Sequence, residues 1–296
     1  MSIQMSAKPS YPPFYRGSYA QVYAVPGNIV RKFPEESKFP RDPTVAIRNE
    51  RAMYREIGDH PRIARWIPSP SDDYIDVECY LYGNLFDHMT MYRDQTSIQM
   101  VVEWGRQIIE AVGALHAKGI VHSDLNLRHV LLDNDLNIRL AGFNAASHFG
   151  EFSLGYEKTT HFAPRDSRDP PSVQTDLFAL GSTLYELAHG KAPYGSTYPK
   201  RPASSDPEAY MNYLRRHAEA EERIYLSFRD KVFPDLADSF CELTIHGCWD
   251  KRFTSAEDIL PVYNDDTTRY MIDLKRKEDC MKLLAELIPE RFVNPL

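Results

Sequence analysis

The stretch HSDLNLRHVLLDNDLNIRLAGFN, residues 122–144, decides how the rest of the chain is read. Its middle is a hairpin signal, because Val130-Leu131-Leu132 and Ile138-Arg139-Leu140 flank the turn-forming Asp133-Asn134-Asp135. Before the hairpin lies a polar loop, His122-Ser123-Asp124, with one carboxylate of the kind that accepts a proton in general-base chemistry. After it comes Gly142-Phe143-Asn144.

Upstream, Tyr19, Val22, Tyr23 and Val25 precede Pro26-Gly27, and Ile29, Val30 and Phe33 follow it, which predicts a second hairpin. From Pro43 to Ile57 the residues Ile47, Met53, Tyr54 and Ile57 repeat at helical spacing. Glu50 falls within that apolar stripe, so its carboxylate needs a cationic partner. A strand is expected over Tyr74–Tyr80, leading into Gly83. A helix is expected from Ser97 to Lys118, with Val101, Trp104, Ile108, Ala111, Val112 and Leu115 on one side and Gly119 at its end.

Downstream, LFALGSTLYELA (177–188) is apolar nearly all round, the pattern of a helix buried in a large domain. The remainder alternates loops with amphipathic helices. Strands segregated ahead of helices give an α+β class.

The bulk properties set outer bounds. With 296 residues, 43% hydrophobic and 26% charged, the chain can bury a large core. A net charge of −7 argues against a nucleic-acid partner. No apolar run reaches the ~18 residues of a membrane span, and MSIQMSAKPSYPP at the start lacks a signal-peptide core. Cys79, Cys241, Cys248 and Cys280 show no paired spacing, which fits a reducing intracellular setting, cytoplasmic or nuclear.

Phosphoryl transfer requires a cradle for phosphates, a cation to fix them, metal ions to neutralise charge and a base for the attacking hydroxyl. Candidates occur in that order: Tyr15-Arg16-Gly17-Ser18-Tyr19-Ala20-Gln21-Val22, then Ile29-Val30-Arg31-Lys32, Glu50, Val77-Glu78-Cys79-Tyr80, and His122-Ser123-Asp124. Gly142-Phe143-Asn144, Ala163-Pro164-Arg165, Asp176 with Gly181, and Arg252 complete the series. Over about residues 14–285 this series resembles the protein-kinase family. The resemblance implies a two-lobed fold, with an antiparallel-sheet N-lobe over 14–79 and a mainly helical C-lobe over 80–285. A flexible lead-in of 1–13 and a tail of 286–296 would flank it.

By that resemblance Gly17, Val22, Lys32, Glu50, Glu78 and Cys79 would bind nucleotide. Lys32 would contact phosphates and pair with Glu50, and backbone around Glu78 and Cys79 would meet an adenine edge. Asp124 would orient or accept the substrate hydroxyl proton, or else brace its own loop. The chain departs from the family at several points. Tyr15 and Ala20 stand where the glycine-rich loop has glycines, which weakens the close approach of amides to phosphate. Ser123 replaces the arginine of the H-R-D motif, which makes control by activation-loop phosphorylation less expected. Arg165 replaces the glutamate of A-P-E and would repel Arg252, its usual partner.

The two metal-ligand positions hold His129 and Gly142. An imidazole suits Mg²⁺ poorly, glycine has no side chain, and Asn144 is weaker than a carboxylate. The resemblance leaves room for ATP as a ligand, whereas Mg²⁺ lacks its usual oxygens. Three readings stay open: a pseudokinase acting on a protein partner as a regulatory or scaffold module, a weak or atypical Ser/Thr kinase with a protein substrate, and a small-molecule phosphotransferase.

Overall fold

The structure is a computed structural model that describes residues 8–287, apart from 18, 36–42, 156, 167, 204–205 and 238. Residues 1–7 of the expected lead-in and 288–296 of the expected tail lie outside the described residues, as does Ser18 of the glycine-poor loop.

The N-terminal region is a five-stranded antiparallel sheet with one helix against it. Its strands are β1 (Tyr15–Arg16), β2 (Ala20–Val25), β3 (Ile29–Pro34), β4 (Trp66–Ile67) and β5 (Ile75–Glu78), in spatial order β1-β2-β3-β5-β4. Pro26-Gly27 makes the β2–β3 turn and sets Val22 opposite Lys32. Strand alternation then sends Tyr23 and Phe33, with Tyr74, into a small aromatic cluster on one face. Ile75 and Val77 join the main core. Arg31 closes onto Asp76 through two hydrogen bonds of 2.7 and 2.8 Å and covers Tyr74 at 3.9 Å from the ring centroid.

Helix α1 spans Pro43–Ile57, the range its periodicity predicts, with Ile47, Met53, Tyr54 and Ile57 buried. The expected strand at Tyr74–Tyr80 is shorter, Ile75–Glu78, because the chain turns at Tyr80, where Gly83 N donates to Tyr80 O.

The C-terminal region is helical: α2 (Leu85–Tyr92), α3 (Ile98–His116), α4 (Val173–His189), α5 (Pro207–Arg229), α6 (Glu242–Trp249) and α7 (Ala256–Leu287). Short strands β6 (Ile120–Val121), β7 (Val130–Leu132), β8 (Ile138–Leu140) and β9 (Ser147–His148) lie between α3 and α4. Ser97 caps α3 by accepting from Met100 N, and Trp104 donates to Leu136 O at 2.7 Å, fixing the helix to the β7–β8 turn. Helix α2 is additional to the sequence reading; Asn84 caps it by accepting from Asp87 N at 2.9 Å. Helix α7 is anchored by buried Tyr263, whose hydroxyl donates to Val102 O. It continues beyond residue 285 to Leu287, so the expected boundary before the tail falls inside a helix.

Every residue of α4 from Thr175 to Leu187 is buried, as its unbroken apolar pattern requires. It meets α6 at Gly181, where an added Cβ would stand 2.6 Å from Cys248 Cβ and 3.3 Å from Ile245 O. Gly181→Ala must therefore spread two packed helices, a cost of about 1–3 kcal/mol. Thermal melts should show a lowered Tm for this variant, and an unchanged Tm would contradict the close α4–α6 packing.

Candidate active site

The loop from His122 to His129 joins β6 to β7, and α4 holds it. Asp176, 1% exposed, accepts from His122 N at 2.7 Å and Ser123 N at 3.0 Å, and pairs with His116 Nε2 at 3.1 Å. These contacts keep Ser123 at a φ of +61°, an uncommon conformation for a side-chain-bearing residue. Glu186, also on α4, accepts from Leu127 N at 3.2 Å. His122 Nε2 donates to Ala141 O at 3.0 Å, and its Nδ1 accepts from Asp124 N at 3.2 Å. These partners select the neutral tautomer, and burial lowers the His122 pKa in the same direction.

The Asp124 carboxylate has little support of its own, with His129 Nδ1 at 3.7 Å from one oxygen. It accepts from Asn126 Nδ2 at 3.2 Å. Enclosure raises its pKa to about 6, opposed by His122, Lys158 and Asn126. Asp176 braces the loop through two amides, and the Asp124 carboxylate takes one bond within it, from Asn126. Asn126 and Lys158 are both additions to the sequence reading. Lys158 Nζ donates to Asn126 Oδ1 at 3.0 Å from 32 residues away, so no local pattern announces it.

The two substituted metal-ligand positions are in contact with each other. His129 Nδ1 donates to Asp124 O at 2.9 Å, which turns the ring toward Gly142. Gly142 has a φ of +84°, and a Cβ there would stand 2.8 Å from His129 Cγ. Burial lowers the His129 pKa to about 4, helped by the Lys158 and Lys32 cations, so the ring is neutral at pH 7. Nδ1 is spent as a donor and Gly142 offers nothing, so Mg²⁺ does not fit this pair of positions. Among the described residues no three His, Cys, Asp or Glu side chains gather in a way that could hold a metal ion.

The remaining predicted residues lie on β2, β3, α1 and β5 and in the turns beside them. Lys32 Nζ donates to Glu50 Oε1 at 2.6 Å, and Glu50 is 1% exposed, so the cation its apolar helix face requires is present. Asn49 on the same helix donates to Ala146 O at 2.8 Å and Asn144 O at 3.2 Å, tying α1 to the segment after Phe143. Phe143 is fully buried between Tyr54 (4.8 Å) and His122 (5.4 Å, ring centroids). Gly17 N closes its loop on Ala20 O at 2.8 Å, and Tyr15 Cε1 lies 3.4 Å from where a Gly17 Cβ would be. The amides of Glu78 and Cys79 donate within the protein, to Arg65 O (2.9 Å) and Asn28 O (2.8 Å).

The expected repulsion between Arg165 and Arg252 is absent. Arg165 pairs with Glu157 and lies 4.4 Å over the Phe162 ring, while Arg252 pairs with Asp250 at 2.7 Å. Each cation has acquired a carboxylate nearby in sequence. Burial raises the Glu157 pKa to about 7, with Arg165 holding it down.

Two predictions follow from this geometry. Below about pH 3 Asp124 is protonated in both folded and unfolded chains and costs nothing; above about pH 6 the folded protein carries a disfavoured charge. Asp124→Asn should therefore raise stability at pH 7.5 by on the order of 1–3 kcal/mol, read as a higher Tm, and the gain should vanish by about pH 3. Melts across that range test it; a lowered Tm at pH 7.5 would restore the bracing role. Second, Gly142→Asp alone should destabilise by about 1–3 kcal/mol through collision with His129. Adding His129→Asn should recover at least about 1 kcal/mol, read as coupling in a double-mutant cycle. Simple additivity would contradict the contact.

Comparison with known proteins accords with this architecture. The family model for the protein kinase domain matches residues 16–262. The phosphorylase b kinase gamma catalytic chain, liver/testis isoform, of Homo sapiens is 30% identical over 179 residues, covering 55% of this chain and 43% of that relative. The match thus spans less than half the length of the relative. The sheet region, the helical region and the family match over most of its length place this chain in the protein kinase family.

Proposed function

We propose that this chain is a kinase-fold regulatory or scaffold module with impaired phosphoryl transfer, acting on a protein partner inside the cell. One observation carries the reading: the His129 ring fills the space in front of Gly142, so neither ligand-like position presents an oxygen to Mg²⁺. Metal neutralisation contributes several kcal/mol to a phosphoryl-transfer transition state, and each ~1.4 kcal/mol is a factor of ten in rate. Lys32 with Glu50 does not replace that charge. The cleft between a sheet lobe of 14–79 and a helical lobe of 80–285 retains a nucleotide site in this reading. Gly17, Val22, Lys32, Glu50, Glu78 and Cys79 are its residues and Asp124 is the acid facing it.

A weak or atypical protein Ser/Thr kinase is the second reading. Asp124 favours it, since a carboxylate with a pKa near 6 on an anchored loop is suited to accept a proton. The human relative, which is named as a catalytic chain, favours it too.

A phosphate-incorporation assay with ATP, Mg²⁺ and a general protein substrate separates the two. The first reading expects incorporation no greater than that of Asp124→Ala. Sustained Mg²⁺-dependent transfer that Asp124→Ala abolishes would overturn it in favour of the second.

A further inference from the structure

The misfit between Mg²⁺ and this cleft leaves open what would balance a phosphate charge there. Lys158 comes from the segment between β9 and α4, not from the catalytic loop, yet its ammonium reaches Asn126, two residues from Asp124. It is solvent-exposed, and among the described residues no carboxylate lies within ion-pair distance of it. Around the ammonium itself burial lowers the pKa, and Glu186 and Asp124 oppose this from further away. A lysine that is held in a cleft, open to solvent and without a carboxylate partner is suited to bind an anion. The neutral His129 ring lies within electrostatic reach of both Lys158 and Lys32. The region around the replaced ligands is thus bordered by two cations.

We propose that Lys158 takes the place of the missing metal, and that the cleft binds a nucleoside triphosphate as its metal-free anion, with Lys158 on the phosphates. This rests on the nucleotide site proposed above. Mg²⁺ then contributes nothing to binding. It competes with Lys158 for the same phosphate oxygens and brings no ligand of its own from the protein.

Isothermal titration of the full chain with ATP, in EDTA and in excess Mg²⁺, tests this with wild type, Lys158→Ala and Lys158→Arg. Wild type should bind in EDTA, and no more tightly with Mg²⁺. Lys158→Ala should lose roughly tenfold to a hundredfold in affinity in EDTA, the range of one charge-assisted hydrogen bond, and Lys158→Arg should retain most of it. Lys158→Ala loses the Asn126 contact and Lys158→Arg keeps the cation, so a ligand-free melt of each, with the Lys158→Arg Tm matching wild type, separates lost binding from lost fold. Equal affinity of wild type and Lys158→Ala in EDTA would overturn the role of Lys158 while sparing the nucleotide site. Binding by wild type only with Mg²⁺ would overturn metal-free recognition. No binding by wild type in either condition would remove the nucleotide site itself, and this inference with it.

Discussion

The candidate site depends on one buried carboxylate. Asp176 sits in the first turn of α4, where the helix dipole favours an anion, and it accepts from two consecutive loop amides as well as meeting His116. An unpaired charge at that depth would cost several kcal/mol, and three partners offset the cost. Holding the amides of His122 and Ser123 fixes the loop in an otherwise unfavourable backbone conformation. With the amides held, the His122 ring bonds Ala141 and packs on Phe143. That contact aligns the segment containing Gly142 with the one containing His129. A chain of contacts therefore runs from the most buried helix to the two residues on which the chemistry turns.

The sequence made legible those features whose signals are local. The α1 stripe and its out-of-place Glu50 were readable because a buried carboxylate needs a cation, and Lys32 meets it. The Asp133-Asn134-Asp135 turn and the apolar α4 were readable for similar reasons. Helix α2 escaped because its eight residues are too short a run to show a helical repeat, although Asn84 and Asp87 form a capping pair that could have marked it. Lys158 was not readable: its partner is remote in sequence, and a lone lysine in a loop has no periodicity. The contact between His129 and Gly142 was hidden for a different reason. Each position was visible as a substitution, but their mutual packing requires coordinates.

That packing changes what the two substitutions mean. Considered separately, a histidine and a glycine are two independent losses of metal ligands. In the structure they form one unit: the ring occupies the volume next to Gly142, and a side chain at 142 would collide with it. With both in place, a side chain at 142 alone is opposed by sterics, because close-packed interiors resist added volume, and a smaller side chain at 129 alone leaves a gap beside Gly142. Such a coupled pair keeps the loop well packed while removing its oxygen ligands. It leaves the loop packed with no side-chain oxygen at either position.

Arg165 shows the same logic at the level of charge. A cation where the family carries a glutamate was expected to face Arg252 unfavourably. The structure relieves the conflict locally, because Glu157 takes up Arg165 and Asp250 takes up Arg252. Glu157 immediately precedes Lys158, so the Arg165 pair that anchors this segment also fixes where Lys158 begins. An exchange that serves stability at Arg165 thereby positions a cation beside Asp124. The loop that carries Asp124 is thus bordered by a cation supplied from a segment remote in sequence.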